Sequence, residues 1–310
     1  MTRKISGSLA LFLLVLTAPI HAGSKNSFWA QTTFIKGAAS CRTAGQGAAS
    51  PLKLGMVLHQ GDTVTVDKGG SVSFLLNDGS ILVVRPETPV VLGEPARKSG
   101  PPLADVAKNL TQTLLARQGD NPMMKHIGGL RAEGKNIALA PTRTKVRMGK
   151  LVFVWLPKPP VQRFVFTLMG PDGMLYETTV SGTRTEVPPD KLAPGSTYYW
   201  EVRDAAIPDS VVTLGSGTFG TLDRNAEEKV RSLESTIAAA ASQIKDADDF
   251  TASFLTYQIS RENGLSLDAL LALGPMIAGH PENEELLHWR SDLCKEMELD
   301  PADIPLLLSR

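Results

Sequence analysis

The stretch LAPGSTYYWEV, residues 192–202, decides the fold of the central part of the chain. Tyr198, Trp200 and Val202 alternate with polar neighbours, which is the period-two pattern of a strand with one buried face. Tyr198 also lies where its hydroxyl would bond back to upstream backbone, the arrangement called a tyrosine corner in two-sheet β proteins. The stretch therefore predicts a core strand of a β-sandwich.

The flanking runs extend this prediction over residues 141–222. LVFVW (151–155), RFVFTL (163–168) and LYETTV (175–180) read as further strands, with Trp155 as the core tryptophan. The segment resembles an immunoglobulin-like or fibronectin type III-like sandwich, and this resemblance implies a fold but little about function. GSGTFG (215–220) fits G-x-G-x-x-G, but a dinucleotide site would also need a helix to begin there. We expect the last strand of the sandwich instead.

An all-β module is also predicted nearer the amino terminus. VTV (64–66), SVSFLL (71–76) and ILVV (81–84) are separated by DKGG and NDGS, and an Asp-Gly pair tolerates the positive φ values of a tight hairpin turn. The short apolar runs and frequent turns predict antiparallel strands.

This module resembles FecR-type domains. The resemblance rests on LGMVL (54–58), Gly61-Asp62, Gly70-Ser71-Val72 and Asp78-Gly79-Ser80, and we assign residues 34–96 to it. It implies a small extracytoplasmic β domain without enzymatic activity. The founding members relay an iron-uptake signal through the membrane and carry a cytoplasmic segment. Only Met1–Lys4 precede the apolar run here, so that role is not carried over.

Residues 223–310 switch to helical periodicity. Val230, Leu233 and Ile237 mark a first helix over about 225–246, and Asn263-Gly264 stops a second. Ser266 is expected to cap a third, and a fourth runs through Leu286 to Met297. The spacing of Gly264, Ala269 and Pro281 resembles a tetratricopeptide (TPR) helix pair, although Tyr257 and Ser260 depart from that pattern. We expect all-α, TPR-like helical hairpins.

Charge is strongly segregated although the whole chain sums to zero. Residues 97–150 hold 11 Lys and Arg against 3 Asp and Glu, whereas residues 223–310 hold 8 against 17. We interpret residues 97–140 as a basic linker. An anionic-partner site is predicted at Lys125, Arg131, Lys135, Arg143, Lys145 and Arg147. Anionic lipid headgroups, a wall polyanion and the chain's own acidic helices are the candidate partners, and a plain soluble tether is the alternative.

The first 22 residues have the layout of a secretory signal peptide. Arg3 and Lys4 precede the apolar run LALFLLVL (9–16), and Ala22 offers a small residue for cleavage. A retained membrane anchor is the alternative. The prediction is a periplasmic or secreted protein.

Catalytic chemistry has no convincing set of residues. The mature chain would hold four histidines (His59, His126, His280 and His288) without zinc-ligand spacing. Nucleophile and Walker motifs are missing from the sequence, and we predict no enzyme, no cofactor and no metal. Cys41 and Cys294 are the only thiols, and a bridge between them is left open.

The sequence thus favours a non-catalytic, exported cell-envelope protein that binds or scaffolds. Its partner would be an envelope protein or an anionic envelope polymer, and peripheral membrane contact is left open. The zero net charge argues against nucleic acid as a partner. The alternative is a periplasmic regulatory or sensing protein whose FecR-type domain contacts a membrane signalling protein.

Overall fold

A computed structural model describes residues 28–77, 81–86, 89–93, 137–207, 212–243 and 249–308. The predicted signal peptide (1–22), the hairpin tip 78–80 and linker residues 97–136 lie outside this range. Among the residues described, no helix is long and apolar enough to cross a membrane.

The amino-terminal module consists of two antiparallel sheets, ordered β4-β1-β6-β7 and β3-β2-β5-β8. Its strands are β1 Phe28–Lys36, β2 Ala39–Arg42, β3 Ser50–Pro51, β4 Val57–His59, β5 Thr63–Val66, β6 Ser71–Leu76, β7 Ile81–Val84 and β8 Val90–Val91. The predicted β6–β7 hairpin is confirmed by its register, Leu75 opposite Ile81. Strand β1 was not predicted, and it begins ahead of the expected module start at residue 34.

The central module is a sandwich of a three-stranded sheet, β14-β11-β9, and a five-stranded sheet, β10-β16-β15-β12-β13. Its strands are β9 Ala138–Ala140, β10 Thr144–Val146, β11 Leu151–Trp155, β12 Phe164–Gly170, β13 Gly173–Val180, β14 Arg184–Val187, β15 Thr197–Asp204 and β16 Gly215–Thr221. The chain changes sheets between β9 and β10, and β10 pairs in parallel with β16. Strand β9 thus takes the last three residues of the predicted linker into a sheet.

The core of the sandwich confirms the reading of residues 192–202. Trp155, Trp200 and Val202 are fully or almost fully buried. The Tyr198 hydroxyl accepts a hydrogen bond from the Ala193 amide at 2.6 Å, which is the expected tyrosine corner. The indole Nε1 of Trp200 donates to the Pro141 carbonyl at 2.7 Å, so this buried donor is satisfied. The GSGTFG stretch lies in β16, as predicted.

Five helices follow the sandwich: α1 Arg224–Gln243, α2 Asp249–Glu262, α3 Ser266–Gly279, α4 Glu284–Met297 and α5 Ile304–Leu308. Gly264 takes a φ of +74° between α2 and α3, where the predicted stop lies. The predicted capping role of Ser266 is wrong. Ser266 is the first helical residue, buried, and the N-cap Leu265 has no side-chain capping bond.

The apolar core of the helices extends into both β modules. Phe34, Leu54 and Leu75 enter it from the amino-terminal module, and Leu139, Val154 and Leu222 enter it from the sandwich. Phe153 and Trp155 belong to the sandwich core, whereas Val154 between them faces the helices. The uninterrupted apolar run 151–155 therefore reflects a strand covered on both faces.

The carboxyl-terminal segment folds back onto this shared core. Ile304 and Leu307 pack against it as partly buried side chains. Leu306 is 42% exposed. It lines a cleft of about 200 Å³ with Val154, Trp155, Pro157, Thr183 and Arg184. The contacts favour a cap on the chain's own core over a free docking segment.

Deleting residues 302–310 should lower the free energy of unfolding by about 1–3 kcal/mol, because two partly buried apolar side chains lose their contacts. Thermal or chemical denaturation of the mature protein would measure it. Removing residues 309–310 alone is the matched control. Unchanged stability in the longer deletion would show that the segment is not a cap.

Candidate functional site

The predicted anionic-partner site lies partly outside and partly within the described residues. Lys125, Arg131 and Lys135 lie outside the described residues. Arg143, Lys145 and Arg147 lie on or beside β10. One edge of β10 pairs with β16, and the strand also contacts α3. This short strand is therefore the place where the sandwich meets the acidic helices.

Arg147 binds two helices at once. Its Nη1 donates to Glu234 Oε2 at 2.5 Å and its Nη2 to Glu234 Oε1, a bidentate pair with α1. Its Nε donates to Asp268 Oδ2 at 2.9 Å, in the first turn of α3. Each of the three side chains is about one-third exposed. We call this three-residue cluster the Arg147 clamp.

Within the Arg147 clamp, burial and ion pairing shift the pKa of Asp268 in opposite directions. Hydrogen bonding to Glu234 is the main cause that raises the pKa of Arg147. Burial raises the pKa of Asp268, although the charge of Arg147 opposes that rise. The arginine thus offsets part of the cost of holding a carboxylate in a half-buried junction.

Thr144 caps α3 in place of Ser266. Its Oγ1 accepts a hydrogen bond from the Leu267 amide at 3.3 Å and lies 3.3 Å from the Gly264 carbonyl oxygen. The Lys145 amide also donates to the Gly264 carbonyl at 2.8 Å. A strand of one module therefore satisfies backbone groups at a helix start of the next.

The other two predicted cations differ from Arg147. Arg143 pairs with Glu298 at 2.8 Å, but both side chains are well exposed and the pair contributes little stability. Lys145 lies opposite Gly220 of β16 on the outer face of the five-stranded sheet. Two of the three described cations are thus paired with the chain's own acidic helices, one of the three candidate partners.

The amino-terminal module has its own junction with the helices, which the sequence did not indicate. The Leu54 amide donates to Glu285 Oε2 at 2.8 Å, in the first turn of α4. Phe34 meets Phe250 edge to face with ring centroids 5.3 Å apart. Each contact joins residues far apart in sequence, so no local pattern reveals it.

His280 and His288 contact aromatic rings and a carboxylate of the chain itself. His280 packs against the rings of Phe34 and Phe250, and His288 Nε2 lies 3.3 Å from Asp292 Oδ2 within α4. His126 lies outside the described residues. Within the part of the chain that the structure describes, no group of three His, Cys, Asp or Glu residues could hold a metal ion.

The two cysteines are separate, buried thiols. Cys41 lies in the core of the amino-terminal module and Cys294 in the shared helical core. Burial, with a smaller contribution from Asp62, raises the pKa of Cys41 to about 11, and burial also raises the pKa of Cys294. The structure does not contain the bridge that the sequence left open.

The chain shows little similarity to known proteins. No family matches the chain, and no curated protein does either. A solved structure titled "Cell surface anchoring domain" is 26% identical, covers 21% of this chain and 84% of that chain, and has a TM-score of 0.20.

Two fibronectin type III structures are also similar. The fn3 domain of the human collagen alpha-1(XX) chain is 19% identical, with 32% of this chain and 89% of that chain covered, at a TM-score of 0.21. A two-domain segment of chicken tenascin is 12% identical, with 63% and 93% covered, at 0.19. At such scores the likeness does not establish the fold, and the sandwich is defined by its own strand order and register.

Replacing Arg147 by Ala should lower the free energy of unfolding by about 1–3 kcal/mol at neutral pH, because Glu234 and Asp268 lose their cation. The loss should shrink as the pH falls, because burial raises the pKa of Asp268 and the protonated carboxyl no longer needs the cation. Denaturation curves at several pH values measure both effects.

Lys150→Ala is the matched control for Arg147→Ala. Its ion pair with Glu186 is exposed on both sides, at 67% and 51%, and should change stability by less than about 0.5 kcal/mol. Equal effects of the two substitutions would contradict a special role for the Arg147 clamp.

Both cysteines should resist alkylation in the native protein, because the reactive thiolate is disfavoured at the raised pKa and both thiols are buried. Iodoacetamide labelling followed by mass spectrometry should detect no adduct before unfolding and two after it. A disulfide in the protein isolated from cells would contradict this expectation.

Proposed function

We propose that the protein is a non-catalytic scaffold of the cell envelope that presents two β modules from one shared helical core. The observation that carries the proposal is this core, to which all three modules contribute buried side chains. Hydrogen bonds and ion pairs reinforce both of its junctions, at Glu285 and at the Arg147 clamp. These contacts fix the orientation of the two β modules relative to each other. Their exposed surfaces can therefore bind partners in a constant arrangement.

Export and the FecR-type resemblance support the same proposal from the sequence. The signal-peptide pattern of residues 1–22 indicates an extracytoplasmic location. The FecR-type resemblance of residues 34–96 indicates a non-enzymatic module of that compartment. The fibronectin type III-like pattern of the sandwich adds a fold that commonly serves binding.

Photo-crosslinking in intact cells tests the proposal. A crosslinking residue is placed at Val91 in one β module or at Met174 in the other, which are 51% and 63% exposed. We expect the protein in the envelope fraction, beginning at Gly23, with discrete adducts to envelope components from both positions. The matched control is the same chain without residues 1–22.

The outcomes separate the proposal from its rivals. An intact Met1 with no envelope adduct would overturn the proposal. Adducts formed only from Val91, and only with a membrane signalling protein, would support the regulatory alternative in its place.

A further inference from the structure

The turn between α2 and α3 contains the one Asn-Gly pair of the sequence, Asn263-Gly264. Asn263 is half-buried, and Gly264 has a φ of +74°, a conformation that glycine adopts without strain. Because glycine has no side chain, its backbone nitrogen can come close to the side-chain amide of the asparagine before it. The sequence at this turn therefore favours attack of the backbone on the asparagine side chain.

Hydrogen bonds within the turn restrain the two groups that would react. The side-chain Nδ2 of Asn263 donates to the Ile259 carbonyl at 2.8 Å, which fixes the amide that would leave. The Gly264 amide donates to the Arg261 carbonyl at 3.3 Å, which is longer than most bonds of this kind. The attacking nitrogen is thus held more weakly than the leaving group.

Strand β10 restrains the same turn from outside. The Gly264 carbonyl accepts a hydrogen bond from the Lys145 amide at 2.8 Å, and Thr144 Oγ1 lies 3.3 Å from the same oxygen. Thr144 is buried, so water does not compete for this contact. Attack requires the Asn263 side chain and the Gly264 peptide to rotate toward each other. A peptide that is held at its carbonyl resists this rotation, and the junction with the sandwich therefore opposes the reaction.

We propose that Asn263 is a site of spontaneous deamidation, which contact with β10 keeps slow and which local opening of that junction accelerates. The Gly264 nitrogen attacks Cγ of Asn263, so an N–C bond forms and the Cγ–Nδ2 bond breaks. Nδ2 leaves as ammonia with the proton of the Gly264 amide. Water, the sole co-reactant, then adds to either carbonyl of the cyclic imide and leaves an aspartate or an isoaspartate at this position.

Either product weakens the junction that protected the site. A carboxylate cannot donate to the Ile259 carbonyl, and its charge lies near the negative end of the α2 dipole. An isoaspartate also lengthens the backbone, which displaces the Gly264 carbonyl from the Lys145 amide. A transient opening of the junction thus becomes permanent. This modification goes beyond the scaffold function, because it changes how firmly the sandwich is held as the molecule ages.

Peptide mapping of the full mature protein after incubation at mildly alkaline pH tests the site. We expect aspartate and isoaspartate to accumulate faster at Asn263 than at Asn225 and Asn283, which are followed by Ala and Glu. Conversion at Asn263 that is no faster than at the other two asparagines overturns the proposed site.

Thr144→Val tests the link to the junction. The substitution keeps the shape of the side chain but removes the hydroxyl beside the Gly264 carbonyl. Deamidation at Asn263 should accelerate about fivefold, the factor by which loss of one hydrogen bond favours a local opening. Thr185→Val, at a buried threonine of β14, is the matched control and should leave the rate unchanged.

Thermal unfolding of both variants confirms that they are folded. An unchanged rate in Thr144→Val, or an equal rise in the two variants, overturns the protective role of β10. The wild-type chain unfolded in urea gives the rate without any protection. A folded protein that deamidates at that same rate would also contradict the proposal.

Discussion

The arrangement of modules depends on the junction at β10, where a three-residue strand holds the start of α3. Thr144 and the Lys145 amide satisfy backbone groups of the α2–α3 turn, and Arg147 joins α1 to α3. The geometry requires arginine, because its planar guanidinium meets one carboxylate with two nitrogens and another with the third. A lysine ammonium is a single point charge and could not bond to both Glu234 and Asp268 in this way. The position of the helices on the sandwich follows from this strand.

The apolar core explains why the junction has to be maintained. Four amphipathic helices stacked as hairpins leave part of their apolar surface uncovered, and arrays of this kind usually need about three repeats for stability. Here Phe34, Val154 and Leu222 supply the cover from outside. In return, the helices cover the outer side chains of β9 and β11, which are Leu139, Val152 and Val154. The module boundaries visible in the sequence therefore do not separate independent cores, and loss of one junction exposes apolar surface on both sides.

Local patterns predicted the elements well, because strand alternation and helical periodicity are local properties. The Tyr198 corner, the β6–β7 hairpin and the stop at Gly264 all lie within short stretches of chain. The failures involve partners distant in sequence. Arg147 and Glu234 are 87 residues apart, and Thr144 and Leu267 are 123 apart. Ser266 has the residue type of a cap, but Thr144 takes that role from another module.

The charge pattern of the chain also depends on contacts between residues that are distant in sequence. A count by segment shows a basic stretch before an acidic one, and that count predicts an anionic partner. The structure pairs Arg143 and Arg147 with Glu298, Glu234 and Asp268, so these charges are largely neutralised within the molecule. Near β10, therefore, the charge difference between the two segments is used in contacts between the sandwich and the helices. Lys145, the third described cation of the predicted site, instead lies on the outer face of the five-stranded sheet, opposite Gly220 of β16.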